Sequence, residues 1–167
     1  YLYTGDLGYM SKEGLLYVKG RFKSLLISSD GEKYSPEGIE EALVEKSPYI
    51  DQVMLYNNQS NYTTAVIVPN RDQLIRTLKV QGLDLSTEDG RKAALTILDG
   101  EINKYKKGGD FEGMFPERWL PTCFAVLSEP FTEQNQMINS TMKMVRGKIE
   151  KAYAERIAYM YTAAGKQ

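Results

Sequence analysis

The chain has 167 residues, 42% of them hydrophobic, with 21 basic and 22 acidic side chains and a formal net charge of -1. That length suits one ordinary domain, burying roughly two-thirds of its unfolded surface, enough for a core without disulfide or metal staples. The small net charge gives no broad nucleic-acid footprint. With no histidine and one cysteine, Ser-His and Cys-His catalysis and a disulfide framework are excluded within the chain, and zinc or haem ligation is disfavoured.

Residues 3–20 read as a β-hairpin. Tyr3 to Tyr9 leads into the turn cluster Ser11-Lys12-Glu13-Gly14, and Leu15-Leu16-Tyr17-Val18 returns, rich in strand formers. A lone hairpin is marginal in water, so we expect this one to belong to a neighbouring body. The chain begins inside this stretch, without an initiator methionine, and further sequence is expected upstream. Residues 24–34 predict a second, smaller hairpin, with Ser28-Ser29-Asp30-Gly31 at its turn. Ser35 then caps a helix with Pro36 at its first position. Glu37, Glu40 and Glu41 lie near its positive end, and Ile39 and Leu43 form its apolar stripe.

Residues 50–56 and 63–68 read as strands joined by a polar loop, 57–61. The unbroken run Ala65-Val66-Ile67-Val68 suits a strand covered on both faces, and Pro69 ends it. Helices are expected at 71–80 and 87–106, then a glycine- and charge-rich loop to Pro116, then a strand at 121–127 in which Cys123 is a small buried hydrophobe. After a polar loop to Ser140, a last helix carries Val145, Ile149, Tyr153, Ile157 and Tyr161 on one stripe. No run approaches the ~18 apolar residues of a membrane span, and no secretory signal pattern opens the chain. The fold class is α+β, a small mixed or antiparallel sheet flanked by helices and preceded by the hairpin.

Three constellations carry chemistry. Asp6, between Gly5 and Gly8, can accept both hydroxyls of a ribose, although a turn-capping aspartate would look the same. Arg21, in Gly20-Arg21-Phe22-Lys23, has a planar fork suited to phosphate or ribose oxygens, and equally suits a surface strand end. Gly31 allows close approach of a ligand, and is also an ordinary hairpin glycine. In Asn139-Ser140-Thr141-Met142-Lys143 the polar trio is expected to cap the last helix, leaving Lys143 near a helix N-terminus that disfavours a cation. Such a lysine serves an anion or is simply solvated.

Taken together, Tyr3-x-Gly5-Asp6-Leu7-Gly8, Gly14, Gly20-Arg21-x-Lys23, Gly31-Glu32, Pro36-x-x-Ile39-Glu40 and Lys143-x-x-Arg146 resemble, in order and spacing, the adenylate-forming superfamily of acyl-CoA synthetases, luciferases and peptide-synthetase adenylation domains. Glu129-Pro130-Phe131-Thr132, Thr141-Met142-Lys143 and Lys148-Ile149-Glu150-x-x-Tyr153 are most similar to the ending of its long-chain fatty acid–CoA ligase branch.

The resemblance implies that residues 1–23 are the last hairpin of a large N-terminal domain and 24–167 a mobile C-terminal domain. It implies Asp6 and Arg21 as nucleotide-binding residues, Lys23 as the hinge, Gly31 and Glu32 as lining of the CoA tunnel, and Lys143 as the catalytic lysine. The implied substrates are ATP with Mg2+ (held mainly by the N-terminal domain), a fatty acid and CoA. No residue of the chain is assigned to a metal. The N-terminal domain is the expected partner, nucleic acid is not, and the location is cytoplasmic, at most peripheral at a membrane. Other adenylating enzymes, acting on aryl, short-chain or amino acids, and a non-catalytic nucleotide- or partner-binding module are the alternatives. Ser140 and Met142 stand where many relatives hold proline and glycine, and Asp30 where some hold a lysine.

Overall fold

The structure, a computed structural model, describes residues 4–21 and 24–166. Strands β1 (Asp6–Met10) and β2 (Leu16–Arg21) form the expected antiparallel ribbon, with Asp6 opposite Arg21. Gly14, at φ +83°, turns the chain between them.

The body starts with β3 (Leu26–Ser28) and β4 (Lys33–Tyr34), an antiparallel hairpin, followed by α1 (Glu37–Lys46). Pro36, not Ser35, occupies the cap position of α1, and no side chain caps it. The amides of Ile39 and Glu40 turn instead to the Pro36 carbonyl, at 3.1 and 2.9 Å. Strand β5 (Ile50–Tyr56) follows. The expected polar loop then holds a short strand, β6 (Asn58–Ser60), parallel to β3. It is anchored by Asn57, whose buried side chain accepts from the Ser60 amide and donates to the Tyr34 hydroxyl.

Strand β7 (Thr63–Pro69) is buried throughout and lies between antiparallel β5 and parallel β8 (Pro121–Val126), so the main sheet is mixed. Parallel neighbours need a long crossover, and α2 (Arg71–Val80) and α3 (Glu88–Asn103) supply it. Asn70 and Thr87 cap them through the amides of Gln73 and Gly90. Helix α3 stops three residues short of the expected end, because the Phe111 amide folds back onto the Lys104 carbonyl at 2.8 Å.

Alternation along the strands divides the core. Val53, Leu55, Ala65 and Ile67 face α1 and α3, packing with Ile39, Leu43, Leu98 and Ile102. Met54, Val66 and Val68 face the other way, onto Phe131, Ile149 and Ile157. The last helix is two: α4 (Arg146–Ala152) and α5 (Ala154–Met160), parted at Tyr153, whose φ of -114° leaves helical geometry. Its stripe survives the break, with Ile149 and Ile157 both buried. Cys123 is half-buried rather than buried; its thiol reaches the Met160 carbonyl at 3.5 Å, and burial pushes its pKa up. Among the described residues no helix is long and apolar enough to cross a membrane.

Candidate functional site

Asp6 and Lys143, 137 positions apart in sequence, line one open cleft of about 880 Å3. This lies within the usual volume of small-molecule sites. Asp6 stands at the head of β1, its amide on the Thr4 hydroxyl at 3.2 Å. The side chain of Arg21 and the whole of Lys23 lie outside the described residues.

Lys143 is not at a helix N-terminus. The polar trio closes a tight turn three residues before α4 begins. The Asn139 side-chain oxygen accepts from the Thr141 amide, the Thr141 hydroxyl and the Lys143 amide, at 3.0, 2.8 and 2.9 Å. The Asn139 amide donates to the Lys143 carbonyl at 2.9 Å, and Ile138 bridges Met144 across the turn. Lys143 is thereby held out on a hairpin tip. Met142 beside it adopts φ +61°, the left-handed region that favours glycine, and is largely exposed.

The foot of this turn is tied down by a buried ion pair. Arg146 donates to the Glu40 carboxylate and, at 3.3 Å, to the Leu55 carbonyl, while Glu40 also takes the Leu55 amide at 2.7 Å. Burial pushes the Glu40 pKa up, against the opposing pull of the Arg146 guanidinium and the Leu55 amide. Gln52 fixes the approach to the turn: it donates to the Phe131 carbonyl at 3.0 Å and accepts its amide at 2.7 Å. Five carboxylates line the cleft (Asp6, Glu37, Glu40, Glu41 and Asp51) against Lys143 and Arg146. Because Arg146 is committed to Glu40, Lys143 is the cation that the described lining offers to an anion.

Gly31 and Glu32 are not in that cleft. Gly31, at φ +84°, forms the β3–β4 turn, with open space where a Cβ would be. Asp30 accepts from the Glu32 amide at 3.1 Å and from the Ser28 hydroxyl. The Glu32 carboxylate accepts from Arg118 Nε and Nη2, at 2.7 and 2.6 Å, and from the Trp119 indole N–H at 3.1 Å. Donation by Arg118, then by Trp119, holds the Glu32 pKa below its ordinary value.

Sequence reasoning missed two of these partners outright and the pairing of two others. Arg118 and Trp119 carried one signal, the chain's single tryptophan beside a cation. Glu40 and Arg146 were flagged only as motif positions, and their pairing across 106 residues is a tertiary fact. Among the described residues no group of three or more acidic, histidine or cysteine side chains could hold a metal ion, and no residue is assigned to magnesium.

No family model matches the chain. Along nearly its whole length it is similar to fatty acyl-CoA synthetase B of Dictyostelium discoideum, at 27% identity over 97% of the chain and 24% of that protein. Similarity to long chain acyl-CoA synthetase 8 of Arabidopsis thaliana is 28% over 96% of the chain and 22% of that protein. Among solved structures, the adenylation domain of a carboxylate reductase from Mycobacterium chelonae superposes with a TM-score of 0.74 at 25% identity, over 95% of the chain and 22% of its own. The A domain of a carboxylic acid reductase from Segniliparus rugosus, in complex with AMP and a co-purified carboxylic acid, shares the fold with a TM-score of 0.68 at 23% identity, over 95% of the chain and 23% of its own. The chain spans about a quarter of the length of the curated relatives it matches. In sequence order, in fold and in these relatives alike, it is similar to acyl-activating enzymes and to adenylation domains of the adenylate-forming superfamily.

Proposed function

We propose that the chain is the C-terminal part of an ATP-dependent, AMP-forming fatty acid–CoA ligase, with Lys143 as the residue that serves carboxylate adenylation. The observation that carries this reading is the cleft: Lys143 and Asp6 line it together, and the Gly31–Glu32 turn stays outside. The relatives' names, fatty acyl-CoA and long chain acyl-CoA synthetases, support a fatty acid as substrate.

In the first half-reaction a carboxylate oxygen attacks the α-phosphorus of ATP, and the bond to pyrophosphate breaks. Two anions must meet, and charge builds around phosphorus. A preset ammonium offsets that charge in the transition state more than in the ground state. The Asn139 turn holds Lys143 by its backbone, with Lys143 exposed at the lining of the cleft. Asp6 would take the ribose hydroxyls, with Arg21 on the phosphate side. In the second half-reaction the CoA thiol attacks the acyl carbonyl and the bond to AMP breaks. Lys143 has no task there, and the Gly31–Glu32 turn would come in its place as the chain rotates about Lys23.

The ribbon supports the division of residues 1–23 from 24–167. Met10, Leu16 and Val18 are 67, 66 and 64% exposed, an apolar surface expected to be covered by the large N-terminal domain.

A second reading has one observation in its favour. The fold agreement quoted above is with adenylation domains of carboxylate reductases, so the acyl group could pass to another acceptor than CoA.

The test is Lys143→Ala in the longer enzyme. Pyrophosphate exchange should fall at least on the order of 100-fold, while thioester formation from preformed acyl-adenylate is retained. Equal loss in both steps would refute the role. Failure of CoA to accept the acyl group, with exchange intact, would favour the second reading.

A further inference from the structure

We infer that Arg118 and Trp119 are positioning residues for the thioester step: they hold the Gly31–Glu32 turn, with the Glu32 charge paired, as a preformed wall for CoA. This rests on the function proposed above, and goes beyond it to residues that lie 86 positions from the turn.

The backbone of the turn closes on itself, through Gly31 to the Ser28 carbonyl at 2.9 Å and Ser28 to the Glu32 carbonyl at 3.0 Å. Nothing in those bonds fixes the Glu32 side chain, which would otherwise stand ionised and mobile at the surface. CoA carries several phosphate charges, and an uncompensated carboxylate on its path repels it. Arg118 answers with both a direction and a charge. Its fork meets the two carboxylate oxygens in parallel, through Nε at 2.7 Å and Nη2 at 2.6 Å, a geometry lysine cannot reproduce.

The indole supplies the rigid backing. Trp119 donates to the same carboxylate and stacks on Tyr34 at 5.2 Å with 8° between the rings. Tyr34 is buried, and its hydroxyl meets Thr63 on the central strand β7 and the Asn57 amide at 3.1 Å. The turn is therefore connected to the core by one continuous path of side chains: Glu32, Trp119, Tyr34, Thr63. Arg118 lies over the indole at 5.8 Å, so the cation is itself held by the ring it flanks.

The experiment is steady-state kinetics of the longer enzyme at saturating ATP and fatty acid. Arg118→Ala should raise KM for CoA roughly tenfold, the loss of one charge-assisted contact, with pyrophosphate exchange retained. Adding Glu32→Gln to it removes the exposed charge and should restore most of the KM. Trp119→Phe, which keeps the stack and loses the donor, should raise KM about two- to threefold, a weaker contact of the same kind. Should Arg118→Ala fold poorly, Arg118→Lys gives the same reading, with an intermediate KM. An unchanged KM in both Arg118 variants overturns the inference, as does equal loss of exchange, or a double variant no better than the single one. Absence of pyrophosphate exchange in the unmodified enzyme would instead sink the proposed function.

Discussion

The Lys143 turn and the Gly31 turn are built alike and moored differently. Each is closed by an Asx side chain that accepts the amide two residues on: Asn139 from Thr141, and Asp30 from Glu32. Each ends in a charged residue. The Lys143 turn is tied to the body by Arg146 and Glu40, whose side chains are only 13 and 5% exposed. The Gly31 turn is tied by Arg118 and Glu32, at 63 and 29%. A half-broken buried pair leaves a charge stranded away from water, whereas an exposed pair exchanges its partner for solvent. The lysine turn is therefore set by the folding of the body. The glycine turn is set by a contact that can be removed without unfolding anything.

Removing the buried cation gives the largest expected effect. Arg146→Ala strands Glu40 and should cost about 3–5 kcal/mol of unfolding free energy, measured by urea denaturation. Arg118→Ala should leave the denaturation midpoint where it was. Equal shifts in the two variants would break the distinction.

Met142 offers a smaller test. Its left-handed backbone costs an L-residue about 1–2 kcal/mol, and glycine would give back roughly 0.5–1 kcal/mol of that through the freer unfolded chain. Met142→Gly should therefore stabilise the protein by about 0.5 kcal/mol, seen as a higher midpoint. A lower midpoint would show that the side chain contributes packing that its exposure conceals.

The smallest effect is local and depends on pH. Donation by Ser28 lowers the Asp30 pKa, and donation by Arg118 lowers that of Glu32. Both carboxyls are thus more acidic when folded. Their contribution is present above the unfolded values and lost as pH falls through the folded ones, below about 4. Asn139 does not titrate. Between pH 6 and pH 3 the Glu32 amide resonance should shift and its exchange quicken, while the Lys143 amide stays as it was. Parallel movement of the two amides would mean a common opening of the body.

Most of the body was legible because its signals are local. The apolar run at 65–68, the proline after it and the amphipathic pattern at 71–80 need no tertiary information, and β7 and α2 lie where they indicate. What escaped depends on distant partners. Asn57 is polar, and the segment after it becomes a strand by pairing with the distant β3, while the Asn57 side chain anchors it to Ser60 and Tyr34. Tyr153 continues a four-residue stripe, so the break between α4 and α5 is invisible in spacing. Asn139 is a good helix cap by type, yet its oxygen serves the lysine turn first. Asp6 and Lys143 were named as candidates by resemblance, and the cleft that both line came only with the fold. Arg118 was beyond reach, since an arginine after a glycine-rich loop reads as solvated until its carboxylate is found.

The ribbon of β1 and β2 has a consequence for handling the chain. Among the described residues the two strands form a sheet of their own, with no third strand on either edge, beside exposed Tyr9, Met10, Leu15 and Leu16. Such an edge is a template for strand addition by another molecule. Produced by itself, this chain is expected to self-associate as its concentration rises, and lysines placed along the ribbon would serve as gatekeepers that keep it monodisperse.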